Sequence, residues 1–407
     1  MTTQHDVGQC IRELRKARRL SVRQLADRAA CSTSLLQKVE SGTRALTPGL
    51  LAQLSGALHV GPEQITGQPY TADTGPEDQA VIPELRRVLL TYDNPDDLSA
   101  APRPLPVLAA EMDHVTQMRQ DGQYVQMGVL LPGLLSELTH VALAGREEDR
   151  QRAYWWLASG YRATNSLAHK LGFHDLSLTA VERVHWAADR SGDPLMQVTA
   201  AYLKAGAMVR MGAFGSARRL LEGLSGEVDR IASEESLTEQ QLAVQGAVLL
   251  KLAIVEARDG RPEQAGQRLA DARAVAGMLR SDTRHYEMSF GPTNVRIHEV
   301  AAMIDMGDTG QALARLREWG AEQDRTEWEL PTGIAAERAS HHHIDVAAAR
   351  LAEGDRRGAF ADLAVARGIS PAHTRYHPTV RHTAAALVRL DKRQDDTVAG
   401  FARWAGV

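Results

Sequence analysis

An all-α fold in two unequal parts is what this sequence predicts, and three observations carry the prediction. Apolar residues recur at helical spacing in runs of about 12 to 25 residues, with no strand-like alternation of useful length. The composition suits helices: 43% hydrophobic but only 5% aromatic, with alanine, leucine and arginine dominant. Along the second part a pattern of Gly, four residues, Ala, three residues, Leu repeats at Gly212, Ala217 and Leu221, at Gly260, Ala265 and Leu269, at Gly307, Ala312 and Leu316, and at Gly354, Ala359 and Leu363. The intervals are 48, 47 and 47 residues, and a weaker copy stands at Gly172, Ser177 and Val181.

The elements follow in order. VGQCIRELRKARRLS reads as a first helix with Ile11, Leu14 and Ala17 inward. Ser21 and Gln24 form a capping box opening a second, on which Leu25, Ala26 and Ala29 make one apolar stripe. That helix ends near Ala30 and Cys31, because Ser32 can cap a third. In the third, Leu36 and Val39 point one way while Thr33, Ser34, Gln37 and Lys38 point away, and Gly42 permits a left-handed stop. Thr47 caps a fourth helix with Pro48 in its first turn and Leu51, Leu54 and Leu58 inward, and Gly61-Pro62 starts a fifth.

From about Val7 to Ile65 this order resembles the lambda-repressor-like, or XRE, helix-turn-helix family. The resemblance implies that the third helix enters the major groove, with Ser32, Thr33, Ser34, Gln37 and Lys38 at base edges and Ser21, Thr43 and Arg44 near phosphates. It also implies a structural ion pair between Arg15 and Glu40. Val22 stands where many relatives carry a phosphate-binding glutamine, a contact that Arg23 can replace. Charge agrees: residues 1–66 carry nine Lys/Arg against five Asp/Glu, a net of +4, in a chain whose total is −4.

Both cysteines, Cys10 and Cys31, lie in this module and read as packed thiols. No apolar run suits a signal peptide and none has eighteen uninterrupted apolar residues, so a cytoplasmic protein with no membrane contact is expected. TGQPYTADTGPED, residues 66–78, reads as a linker; residues 77–91 recover a helical pattern before DNPDDLSAAPRPLP breaks it. The expected division is 1–66, a DNA-binding domain; 67–106, a linker with a connecting helix; and 107–407, a helical repeat body.

In each repeat an apolar helix precedes the glycine, so the unit is an antiparallel helix pair, and such pairs bury their faces by stacking into an α-solenoid. The glycine and alanine spacing resembles tetratricopeptide (TPR) repeats, whose period is nearer 34 residues, so longer helices or loops are expected. First helices of such pairs line the concave face, offering Trp155, Tyr161, Asn165, Tyr202, Arg210, Asn294 and His298 as effector-binding candidates, with Arg338 and His342 beyond them. His341, His342 and His343 are adjacent on one helix and point in different directions, so no metal site is expected. No P-loop, Gly-x-Ser-x-Gly or His-Glu-x-x-His motif is present, and neither enzyme nor cofactor is expected.

An XRE-type head on a helical repeat body resembles the Rgg and PlcR type (RRNPP) regulators. The resemblance implies a homodimeric transcription regulator on a palindromic operator in double-stranded DNA, with a peptide or small-molecule effector in the repeat groove. The competing expectation is an interaction adaptor, whose repeats hold a partner protein and whose DNA binding is secondary.

Overall fold

The structure, a computed structural model, describes residues 6–69, 80–96, 98, 100–231, 237–390 and 396–407. The head has five helices: α1 (Val7–Ala17), α2 (Val22–Arg28), α3 (Thr33–Glu40), α4 (Pro48–Leu58) and α5 (Pro62–Thr66). Ile11, Leu25, Leu36, Leu54, Leu58 and Ile65 are their shared core. The caps form as read: Ser21 and Gln24 close a capping box, and the Ser32 and Thr47 hydroxyls accept from the amides of Leu35 and Leu50. Arg15 holds Glu40 in a two-pronged pair, Nε to Oε1 at 2.6 Å and Nη2 to Oε2 at 2.9 Å, with both residues buried.

Among the described residues, sixteen further helices build the body. They are α6 (Ile82–Leu90), α7 (Leu105–Asp121), α8 (Tyr124–Ala144), α9 (Glu147–Lys170), α10 (His174–Ser191), α11 (Pro194–Arg210), α12 (Phe214–Ile231), α13 (Glu239–Arg258) and α14 (Pro262–Ala276). After a hairpin come α15 (Pro292–Met306), α16 (Thr309–Ala321), α17 (Ala336–Ala352), α18 (Arg356–Ile369), α19 (Pro371–Tyr376), α20 (Pro378–Leu390) and α21 (Asp396–Trp404). Helices α9 to α18 pack as consecutive pairs. At each repeat the pattern residues do what their chemistry allows. Gly212, Gly260, Gly307 and Gly354 take φ of 75°, 72°, 88° and 86°, the left-handed turn between paired helices. Ala217, Ala265, Ala312 and Ala359 are wholly buried, so the second helix of each pair comes close to its neighbour.

One finding corrects the expected organisation and two add to it. First, α6 is no connector: Ile82, Leu85, Val88 and Leu89 are buried in one core with α8 and α10, and Arg183 on α10 donates to the Leu89 carbonyl at 3.0 Å. The expected boundary at residue 106 therefore cuts through packed structure. The 66–78 linker lies mostly outside the described residues. Second, the all-α body carries a short hairpin. Strands β1 (Thr283–His285) and β2 (Met288–Phe290) pair antiparallel, Thr283 opposite Phe290, and lie against α13. Third, α8 is long and apolar enough to cross a membrane, but Met127, Leu131, Leu135 and Leu138 place it at the centre of the first core.

The stack curls until its ends approach. Helix α17 reaches α7, and the Tyr124 hydroxyl meets His373 Nδ1 at 3.2 Å across 249 residues. The head closes over the groove that results. Ala52 of α4 is buried with Val198, Val209 and Phe214 of the body, and Ala45 with Ile344 and Val380. Gln53 Nε2 donates to the Arg258 carbonyl at 2.9 Å, and Arg389 pairs with Asp6 at 2.8 Å.

Candidate nucleic-acid interface and enclosed groove

On the head, α3 turns its polar face outward. Ser32, Thr33, Ser34, Gln37 and Lys38 are exposed along it, and Ser21, Arg23 and Thr43 are exposed beside it. Leu36 and Val39 anchor the opposite face, so the helix is held while its polar side stays free. The body grips the head through α1's start, the 44–46 loop and α4, away from that polar face. Arg44, expected beside phosphates, is less exposed than the residues of that face. It is half-buried toward the body, where burial lowers its pKa and Glu353 opposes the shift.

The enclosed groove is lined by the first helix of each pair. Two adjoining cavities of about 360 and 240 Å³ share Tyr202, Arg210, Lys251, His298, Arg338 and His341. Thr47 and Pro48 of the head line the smaller one. Of the expected effector residues, the structure brings together Tyr202, Arg210, Asn294 and His298. It does not bring Trp155, Tyr161 or Asn165. Trp155 donates from Nε1 to Asp193 at 3.1 Å and stacks edge-on against Trp156; Tyr161 is wholly buried in the first core; and the Asn165 side chain is buried, accepting from Ser177 Oγ at 2.8 Å. Packing and pairing consume all three.

Sequence reasoning missed Arg119, Arg162, Lys170, Lys251, Glu287 and Glu337 on the same walls. A signal existed for one of them: Lys251 interrupts the apolar stretch AVLLKLAIV, where a lone cation has no reason to sit unless it faces a polar interior. Glu287 arrives by a route that periodicity does not reveal. It tips the hairpin with Tyr286, both in the left-handed region at φ 55° and 50°, a cost that surrounding contacts must offset. Arg119 pairs with Glu287 at 3.0 Å, and Arg162 donates to the Tyr286 and Glu287 carbonyls at 2.7 and 2.8 Å.

The lining carries six Lys and Arg side chains against two carboxylates. Burial pushes the Arg162 and Arg210 guanidiniums down to about 10 and lowers Lys251, while burial and then Arg338 push His298 down to about 3. Burial would raise Glu337, but Lys170 and then Arg119 hold it down to about 2. Beside this chamber, His341 Nδ1 and His373 Nε2 lie 3.4 Å apart, and a nitrogen of His377 is within 4.8 Å of both. From the 341–343 run, His342 goes instead against Trp328, and His343 to Asp362 at 2.8 Å. Burial, then His377 and Lys170, hold His341 well below the usual imidazole range.

Comparison with known proteins fits the head's geometry. Residues 6–66 match the family described as a helix-turn-helix domain, a DNA-binding class, and the chain carries that domain at its start. No curated protein matches the chain. Solved structures of PrgX and of a tyrosine-to-cysteine mutant of PrgX are similar at 11% and 10% identity, covering 80% and 81% of this chain and 97% of those chains. Their TM-scores, 0.22 and 0.19, are too low to support any argument about this one.

Proposed function

We propose that this protein is an effector-responsive transcription regulator: the head reads a two-fold operator through α3, and the body holds the effector in the groove beneath the head. One observation carries the reading. Thr47 and Pro48, at the start of α4, share a cavity with Tyr202, Arg210 and His298 of the body, so an occupant of the groove lies against the DNA-binding domain itself. An occupant that favours one head position over another changes operator affinity, and coupling of about 1 to 3 kcal/mol is typical of such linkage.

Homodimerisation belongs to the same proposal. One recognition helix covers a single half-site, and half-sites on one DNA face lie about 34 to 36 Å apart, so a two-fold operator calls for a protein two-fold. Genome-wide mapping of bound sites followed by footprinting and light scattering tests it. A dimer protecting a symmetric operator is the expected result; a monomer with no operator preference would favour the adaptor.

A further inference from the structure

We infer that the effector is a compact anion carrying at least two negative charges, held by Arg210, Lys251 and Arg338 in the enclosed groove. The inference rests on the proposed reading of the groove as an effector site and adds the chemical class of its ligand.

Charge bookkeeping of the walls comes first. The larger cavity is lined by six cationic side chains, Arg119, Arg162, Lys170, Arg210, Lys251 and Arg338, and by two carboxylates, Glu287 and Glu337. Both carboxylates are already engaged. Glu287 is paired with Arg119 and approached by Arg162, and Glu337 is paired with Lys170 at 2.8 Å. Arg210, Lys251 and Arg338 are left over.

Among the described residues, none of these three has a carboxylate within ion-pair distance. Arg210 reaches the Ser177 hydroxyl at 3.5 Å, and the Lys251 ammonium lies 4.1 Å from the centre of the Tyr202 ring. Gly206 on α11 makes room for that ammonium: a Cβ there would stand 3.2 Å from Lys251 Nζ and 3.8 Å from Arg210 Nη1. In the adjoining cavity Arg258 is taken by Asp305 at 2.8 Å. Asp345 does not neutralise the surplus below neutral pH, since burial and then Asp305 push its carboxyl up to about 7.

All three are half-buried, and withdrawing a cation from water without a partner is costly, a cost that a bound anion offsets. Tyr202 lies among these cations. Burial should raise a phenol, yet its pKa is lowered, by Lys251 first and then Arg338 and Arg162. The space suits a small molecule and excludes a duplex, because the larger cavity is about 360 Å³ and lies within the body. The three cations come from α11, α13 and α17, so an anion bridging them ties three repeats together, and α4 of the head packs on α11 and reaches the end of α13 through Gln53.

Phosphate and polycarboxylate ligands share this chemistry, and the test separates them. The full-length protein is titrated with sodium pyrophosphate, with citrate and with sodium chloride at matched ionic strength, following thermal melting and heat of binding. The expected result is a saturable rise of melting temperature, about 2 to 4 °C near saturation, with pyrophosphate or citrate but not chloride. Lys251→Met and Arg338→Gln, each removing an unpaired cation, are expected to melt at or above the parent temperature without ligand and to lose the anion response at least tenfold. Equal behaviour in all three salts overturns the inference. So does an unchanged response in both variants, or a response lost in Arg23→Ala or Lys38→Ala, which would put the anion on the DNA-reading face. Operator footprinting on the same samples decides the regulator reading separately, so failure of one is not mistaken for failure of the other.

Discussion

Gln53 of the head donates its side-chain amide to the backbone carbonyl of Arg258 in the body, 2.9 Å away and 205 residues along the chain. That carbonyl is one of the orphan acceptors at the C-terminal end of α13, so the head caps a body helix. The head is therefore docked rather than tethered, with Gly49 close against Asp305 and Arg258 below it.

Gly49→Val should undock the head. A Cβ at Gly49 would lie 2.9 Å from Asp305 Oδ1 and 3.2 Å from Arg258 Cγ, and a branched side chain fits worse still. The variant should keep both cores folded but show faster amide exchange in α4 and at the end of α13. Exchange rates identical to the parent's would mean that the interface yields without separating.

Removing Lys38, Thr33 or Ser34 by alanine substitution should narrow the gap between operator and random DNA, by about 1 to 3 kcal/mol for any good base contact. Arg44→Ala should act differently, because Arg44 is half-buried where burial lowers its pKa and Glu353 opposes the shift. Its effect should appear in head docking, read by amide exchange, with little change in the salt dependence of DNA binding. A salt slope reduced by about one would restore Arg44 to the phosphate contacts.

Glu40→Ala should strip Arg15 of its buried partner. Breaking a buried pair on one side costs about 3 to 5 kcal/mol, comparable to the whole stability of so small a module. Calorimetry of the full-length variant should show the head melting early and the body near its usual temperature. A single unshifted transition would show that the pair contributes little.

Acid should destabilise the body through its buried imidazoles. His342, by burial and then His343, and His377, by burial and then Lys170, are both pushed down to about 3 from an ordinary 6.5. The unfolded chain then binds protons first, so their contribution is complete above pH 6.5 and is lost as pH falls from there toward 3. At pH 5.5 the loss is about 1.4 kcal/mol for each. Asp345, raised to about 7, works in the opposite direction, favouring the fold at low pH and losing that contribution as pH rises from about 4 to 7. Melting temperatures between pH 7 and 5 should fall for the parent and fall less for His377→Gln; a flat profile would refute the assignment.

The sequence by itself determined the elements whose signals are local. Ser21, Ser32 and Thr47 cap helices because each hydroxyl reaches an amide three residues ahead, and the repeated Gly, Ala and Leu place a left-handed turn, a close helix approach and a core side chain at fixed spacing. The outward face of α3 was equally legible, being the complement of Leu36 and Val39 at helical period. Only the tertiary structure decided the groove. Which aromatic or amide faces it depends on how the repeats curl, and that curvature buried Tyr161 and Asn165 while turning Arg210 and Lys251 inward. Glu287 depends on a hairpin too short for periodicity to show, held by Arg119 and Arg162 from distant helices. The docking of the head lies beyond local signals for the same reason: it joins Gln53 to Arg258 and buries Ala45 with Val380, and contacts between residues hundreds of positions apart leave no spacing in the sequence that could announce them.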